Sequence, residues 1–208
     1  MKRTVSLFSL CGLVLLAGCS KDSIKSLGDD ISPMSNVGVT VSSTSTNISG
    51  VSNISGSVTG LDDGVSIYTG TATITNDNFK NILTNFPGTE VDGNTVTIEG
   101  LEFKQTTEGI ASINGLAEGI IVKYDAEVGD TYKTEDGERT VVSRSSEDDY
   151  YYGFYMIKVI QVEETPEKFG VKKITYWANH RFGLVGIEFT FDDGSTAKFP
   201  VYTSTENS

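Results

Sequence analysis

Leu184-Val185-Gly186-Ile187-Glu188-Phe189-Thr190-Phe191, followed by Asp192-Asp193-Gly194-Ser195, decides the fold. Val185, Ile187, Phe189 and Phe191 alternate with Glu188 and Thr190, the period of a strand with one face in a core and the other toward water. The Asp-Asp-Gly-Ser segment turns the chain, because Gly and Asp tolerate the backbone angles of tight turns. Residues 196–202 then read as the next strand. Upstream, residues 139–144, 154–162 and 171–177 carry the same β-branched and aromatic enrichment between turn signals. Of the nineteen aromatic residues after position 18, fifteen lie from Tyr124 to Tyr202, which puts the best-defined core there.

Toward the N-terminus the pattern continues with a predicted strand over residues 65–75. A short helix follows, capped by Asn76 or Asp77, running to about Leu83 and stopped by Pro87-Gly88. Strands are predicted over 90–98 and 101–107 with a break at Glu99-Gly100. Asp92-Gly93-Asn94 offers a hairpin inside the first of them as an alternative. Residues 37–60 are rich in Ser, Thr, Asn and Gly and predict short strands with exposed turns, begun by the alternation of Val37, Val39 and Val41. Strands in succession with one helix imply a mainly β fold, an antiparallel β-meander or sandwich with one short helix.

The first residues describe an export signal. Lys2 and Arg3 precede a short apolar run from Val5 to Leu16, interrupted by Ser6 and Ser9, too short for the roughly 20 residues of a membrane-spanning helix. The run ends in Leu16-Ala17-Gly18-Cys19, which resembles the lipobox of bacterial lipoproteins. That resemblance implies removal of a signal peptide, residues 1–18, and acyl chains such as palmitate on Cys19, which anchor the protein to a membrane. Residues 19–36 then read as lipidated cysteine and tether, and residues 37–205 as one β-rich domain, with a division into two halves near residue 122 left open.

Removing residues 1–18 takes away Lys2 and Arg3, leaving 14 basic against 28 acidic side chains, a net charge of −14. Such a chain repels phosphates, so nucleic acid is excluded as a partner. The two cysteines are Cys11, inside the signal, and Cys19. The domain beyond them has no thiol for a disulfide or for cysteine chemistry.

Residues 123–132, with Lys123-Tyr124-Asp125 and Val128-Gly129-Asp130-Thr131-Tyr132, and residues 174–185, with Ile174-Thr175-Tyr176-Trp177 and Phe182-Gly183-Leu184-Val185, resemble outer-membrane or surface lipoproteins of Bacteroidota. The resemblance implies a β-rich family of unassigned role and covers roughly residues 60–203. In that group Lys and acidic residues after the lipid cysteine direct export to the cell surface. Ser20-Lys21-Asp22 fits, with Ser23 where a second acidic residue is usual. The implied location is the outer membrane, on the cell surface, lipid-anchored.

No catalytic group stands out. His180 is the only histidine and lies in a turn, there is no Gly-x-Ser-x-Gly elbow, and the pairs Asp29-Asp30, Asp62-Asp63, Asp148-Asp149 and Asp192-Asp193 lack the spacing of a calcium loop. No cofactor or metal site is read. The segment richest in recognition chemistry is Tyr150-Tyr151-Tyr152, after Glu147-Asp148-Asp149, a candidate binding loop for a glycan or protein ligand. The first functional expectation is a non-catalytic binding or structural module of the envelope. A lipid or lipoprotein carrier is second, and a glycosidase-type enzyme third. A concave apolar cavity favours the carrier, and two carboxylates facing across a cleft favour the enzyme.

Replacing Cys19 by Ala is expected to move the protein from the membrane pellet to the soluble fraction and to abolish acyl labelling. A variant that still pellets after a carbonate wash with its label intact removes the lipoprotein assignment.

Overall fold

The computed structural model of the chain describes residues 24, 26–43, 49–115, 118–134, 137–166 and 168–204. The signal peptide, Cys19 and Ser20-Lys21-Asp22 lie outside the described residues. The fold is mainly β and antiparallel. Its first half runs β1 (Thr40–Ser43), β2 (Val51–Asp62), β3 (Val65–Ile74), helix α1 (Asp77–Leu83), β4 (Thr89–Asp92), β5 (Thr95–Gln105), β6 (Gly109–Ser112) and β7 (Gly119–Lys123). Its second half runs β8 (Thr131–Lys133), β9 (Glu138–Arg144), β10 (Tyr150–Tyr152), β11 (Tyr155–Ile157), β12 (Ile160–Glu164), β13 (Val171–Asn179), β14 (Gly183–Phe191), β15 (Thr196–Pro200) and β16 (Tyr202–Ser204).

Two sheets result. The first is ordered β16-β1-β2-β3-β5-β6-β7, with β4 paired to β5, and the second β15-β14-β13-β12-β9-β8. Between them lies one apolar cluster, with Ile74, Val96, Ile110 and Val122 from the first sheet against Val141, Val162, Ile174 and Phe191 from the second. The helix is short, seven residues, and begins where the Asn76 side chain accepts from the Phe79 N–H at 3.1 Å. It buries Phe79 edge-on against Phe189, Phe191 and Phe199, with ring centroids 5.2 to 5.6 Å apart.

Several sequence expectations are corrected by the register. Residues 90–98 do form a hairpin, turned at Gly93, while Glu99-Gly100 does not end a strand. Tyr68 pairs with Leu101 and Thr69 with Glu99, so Gly100, at φ +79°, is the extra residue of a bulge. Val185 points away from Ile187, Phe189 and Phe191. Trp177 pairs with Gly186 and Ala178 with Leu184, and the skipped Val185 packs on the outer face with Tyr152.

Residues 154–162 are two strands: after the turn at Gly153 (φ +69°) β11 pairs back on β10, and past Lys158-Val159 the chain enters the second sheet as β12, between β9 and β13. Residues 196–202 are also two. Pro200 has no N–H to extend the ladder, and after Val201 the chain joins β1 of the other sheet. In the 37–60 region β2 is twelve residues long rather than short.

Part of the expected tether is packed into the fold. Leu27 is fully buried with Ala111 and Ile120, and its carbonyl accepts from the Thr106 hydroxyl at 2.7 Å. Ser35 is buried too, donating to the Gln105 carbonyl at 2.8 Å and accepting from the Ser66 hydroxyl at 3.0 Å. Small hydroxyl side chains satisfied by backbone groups pack well, so polarity here does not mean looseness.

A buried charged side chain ties the sheets together. Arg139 on β9 and Glu164 on β12 are register partners, 1% and 2% exposed, with Nε donating to Oε2 at 2.9 Å. Arg139 Nη1 donates to the carbonyls of Gly119 (3.0 Å) and Ile120 (2.9 Å) on β7, at the edge of the other sheet. The Tyr176 hydroxyl donates to Glu164 Oε2 at 2.8 Å, and burial holds that phenol well above its usual range, so it keeps its proton.

Arg139→Met strands a buried carboxylate and is expected to cost about 3 to 5 kcal/mol in denaturant melts. The double variant with Glu164→Met should recover most of that loss. A single variant as stable as the parent removes this tie from the account of the fold.

Candidate functional site

A cavity of about 350 Å³ opens between the sheets beside the core. Its wall on the first sheet comes from β3, where Tyr68, Gly70, Ala72 and Ile74 share one parity, and from Ile54 and Gly56 on β2. The bulge at Gly100 turns Leu101 and Phe103 to the same face as Val96 and Ile98, all four lining the cavity. Leu184, Ile187 and Phe189 of β14 face them from the second sheet, and Phe79 and Leu83 of α1 form one end.

The space exists because inward positions on neighbouring strands carry almost no side chain. Gly56 and Gly70 are register partners, and Ala72 follows on the same face. A Cβ on Gly56 would come within 2.9 Å of the Thr69 carbonyl, so glycine also permits the close approach of backbones there. The volume falls in the range of roughly 300 to 1,000 Å³ typical of small-molecule sites, which are mostly apolar with a few placed polar groups.

The polar groups sit where Gln105 meets Tyr68. Gln105 Nε2 donates to the Tyr68 hydroxyl, which donates to the Met34 carbonyl at 3.4 Å. Burial pushes the Tyr68 phenol up to about 12, so it remains a protonated donor at neutral pH. A second hollow, about 430 Å³, lies beside Lys123, Asp125, Asp130 and Lys133. Its wall mixes apolar side chains, Ile120, Ala126 and Tyr132, with charges of both signs.

The tyrosines singled out in the sequence lie elsewhere, on the hairpin β10–β11 over the outer face of the second sheet. Tyr152 is 6% exposed, packed on Phe182 (5.0 Å between centroids) and Tyr202 (5.3 Å), and its hydroxyl accepts from the Thr203 N–H at 3.3 Å. Tyr150 lies against Trp177 at 6.1 Å, and burial raises its phenol to about 12. Gly186 makes room for it, since a Cβ there would lie 2.5 Å from the Tyr150 hydroxyl oxygen. Lys198 caps the Trp177 ring with Nζ 3.9 Å from the centroid. Tyr151 alone of the three is open to water, 67% exposed, near Phe154 at 99% and the half-exposed Tyr155 and Met156.

His180 is exposed in the turn between β13 and β14. Among the described residues no three of His, Cys, Asp or Glu gather into a metal-holding group, and no helix is long and apolar enough to cross a membrane. Comparison with protein-family models, with curated proteins and with solved structures finds no match.

The cavity was not among the sequence candidates. Its signal was the pairing of small residues, Gly56 against Gly70 and then Ala72, at positions whose neighbours Ile54, Tyr68 and Ile74 point inward. Register across the strands is needed to see it.

Tyr151 and Tyr152 provide a matched test of which tyrosine belongs to the core. Tyr152→Ala is expected to cost about 3 to 5 kcal/mol and Tyr151→Ala less than about 0.5 kcal/mol, read by denaturant melts. Equal losses at both positions contradict the packing described here.

Proposed function

We propose that the chain is a membrane-anchored lipoprotein of the bacterial envelope, held by acyl chains on Cys19, whose β-rich domain is a non-catalytic binding module for an apolar ligand. The observation that carries this reading is the apolar cavity between the sheets. Protein interiors pack like organic crystals, and space of this size beside a core is otherwise filled by side chains. Here the close backbone approach that keeps positions 56 and 70 glycine, with alanine at 72, leaves the space unfilled. This weights the carrier class above the glycan-binding one, because sugar sites offer many polar groups and this wall offers few. The lipid-anchored outer-membrane location, on the cell surface, is part of the same proposal and rests on the lipobox and on Ser20-Lys21-Asp22.

A second reading, protein docking on the β10–β11 tip, is favoured by the exposure of Tyr151, Phe154, Tyr155 and Met156 together. The two readings separate by site.

The test uses the chain from residue 20 and an apolar dye that fluoresces on leaving water. Saturable one-to-one binding is expected for the parent and for Phe154→Ser. Ala72→Phe fills the cavity and should abolish binding while changing stability by less than about 1.5 kcal/mol. A parent that binds no dye, or an Ala72→Phe variant that binds like the parent, sinks the cavity as a ligand site.

A further inference from the structure

The cavity wall carries information about the head of its ligand as well as its tail. None of the described residues lining it is Lys, Arg, His, Asp or Glu. A carboxylate or phosphate carried into such a space loses its hydration with no cation to replace it, a cost that excludes the ionised form. The net charge of −14 outside residues 1–18 works in the same direction, repelling an anion before it arrives.

A ligand with no polar atom at all would leave Gln105 poorly used. Gln105 is 8% exposed and lines the cavity. Its amide holds two N–H donors and one carbonyl acceptor, and among the described residues its side chain makes one hydrogen bond, to the Tyr68 hydroxyl. Gly183 leaves space for that amide, since a Cβ there would stand 2.7 Å from Gln105 Oε1. Gln105 shares its strand with Leu101 and Phe103, so one amide stands at the end of an apolar wall. The amide has two N–H donors and uses one on Tyr68, so a ligand hydroxyl or ester oxygen can accept the other.

We infer that the ligand is an uncharged amphiphile, one apolar chain with a hydroxyl or ester head that hydrogen-bonds to Gln105. The inference rests on the cavity being a ligand site and goes further, to the class of molecule admitted and the residue that selects it. Free fatty acids in their ionised form are rejected, and alcohols or esters of the same chain length are accepted.

The experiment is displacement of the same apolar dye by 1-dodecanol, methyl dodecanoate and dodecanoate from the chain beginning at residue 20. At pH about 8, where the acid is ionised, dodecanol or the ester is expected to compete at least about ten-fold better than dodecanoate. The gap should narrow as the pH falls through the acid's own pKa. Gln105→Leu, its fold checked by circular dichroism and its own dye affinity measured for reference, should weaken the preferred neutral lipid by about five- to ten-fold, the value of one hydrogen bond. Dodecanoate competing as well as the neutral lipids at pH about 8 overturns the inference. So does a Gln105→Leu variant with undiminished affinity for both neutral lipids. Failure of the dye itself to bind removes the ligand site and this inference together, whereas dye binding without head-group preference removes the inference alone.

Discussion

The two sheets are held at one side by the buried guanidinium of Arg139, and the shape of the rest follows from where that tie is made. Strand β7 ends the first sheet and would present the unpaired carbonyls of Gly119 and Ile120 to its surroundings. Arg139 reaches them from β9 of the second sheet while paired with Glu164 in its own. Taking two charges out of water is costly, so the pair is supported by further bonds, the Tyr176 hydroxyl to the carboxylate and the β7 carbonyls to the guanidinium. Around this point the core closes, with Val122, Val141, Val162 and Ile174 each at most 1% exposed.

At the other side the sheets are joined by the chain itself, where Val201 carries β15 of one sheet into β16 of the other, its N–H donating to the Val185 carbonyl at 3.0 Å. Val201 and Thr203 line the cavity, and none of the Arg139 partners does. The fold is thus closed tightly along the ionic edge and left open along the covalent one. That arrangement lets the molecule keep a void without losing the fixed relation between its sheets. A methyl-sized gap in a core costs about 1 kcal/mol, so a space this large is retained at the expense of stability, as sites of function commonly are.

The periodic part of the architecture was legible from residues alone. The helix with its Asn76 cap, strand β3, and the strands beginning near 139, 171 and 184 all follow from hydrophobic alternation and turn chemistry, which act locally. Every departure came from something local patterning does not encode. Gly100 and Val185 are bulge residues, and an inserted residue reverses which side chains face inward for the rest of a strand. The long 154–162 run broke at Lys158-Val159, where the chain leaves the β10–β11 hairpin for β12, with no glycine or proline to mark the place. The packing of Leu27 and Ser35 depends on hydrogen-bond and apolar partners some 70 to 93 positions away. The tyrosine cluster was legible as unusual composition, but only the hairpin geometry shows that two of its rings support the sheet and one meets water. The cavity was the least legible feature, being made by the absence of side chains on strands whose register had to be known first.

The packing of Leu27 bears on the proposal of a lipid-anchored binding module. Eight residue steps separate Cys19 from Leu27, and an extended chain spans at most about 3.6 Å per step, so that separation cannot exceed roughly 29 Å. With Cys19 acylated, Leu27 and the edge of the domain it packs into are therefore held within that distance of the membrane. Two or three acyl chains make such an anchor practically permanent. A protein confined in this way is suited to taking up or presenting a ligand at one surface, and unsuited to ferrying it across a wide gap. An uncharged amphiphile, partitioning between bilayer and water without the barrier that an ion meets, is the kind of ligand for which a short tether and an uncharged cavity make sense together.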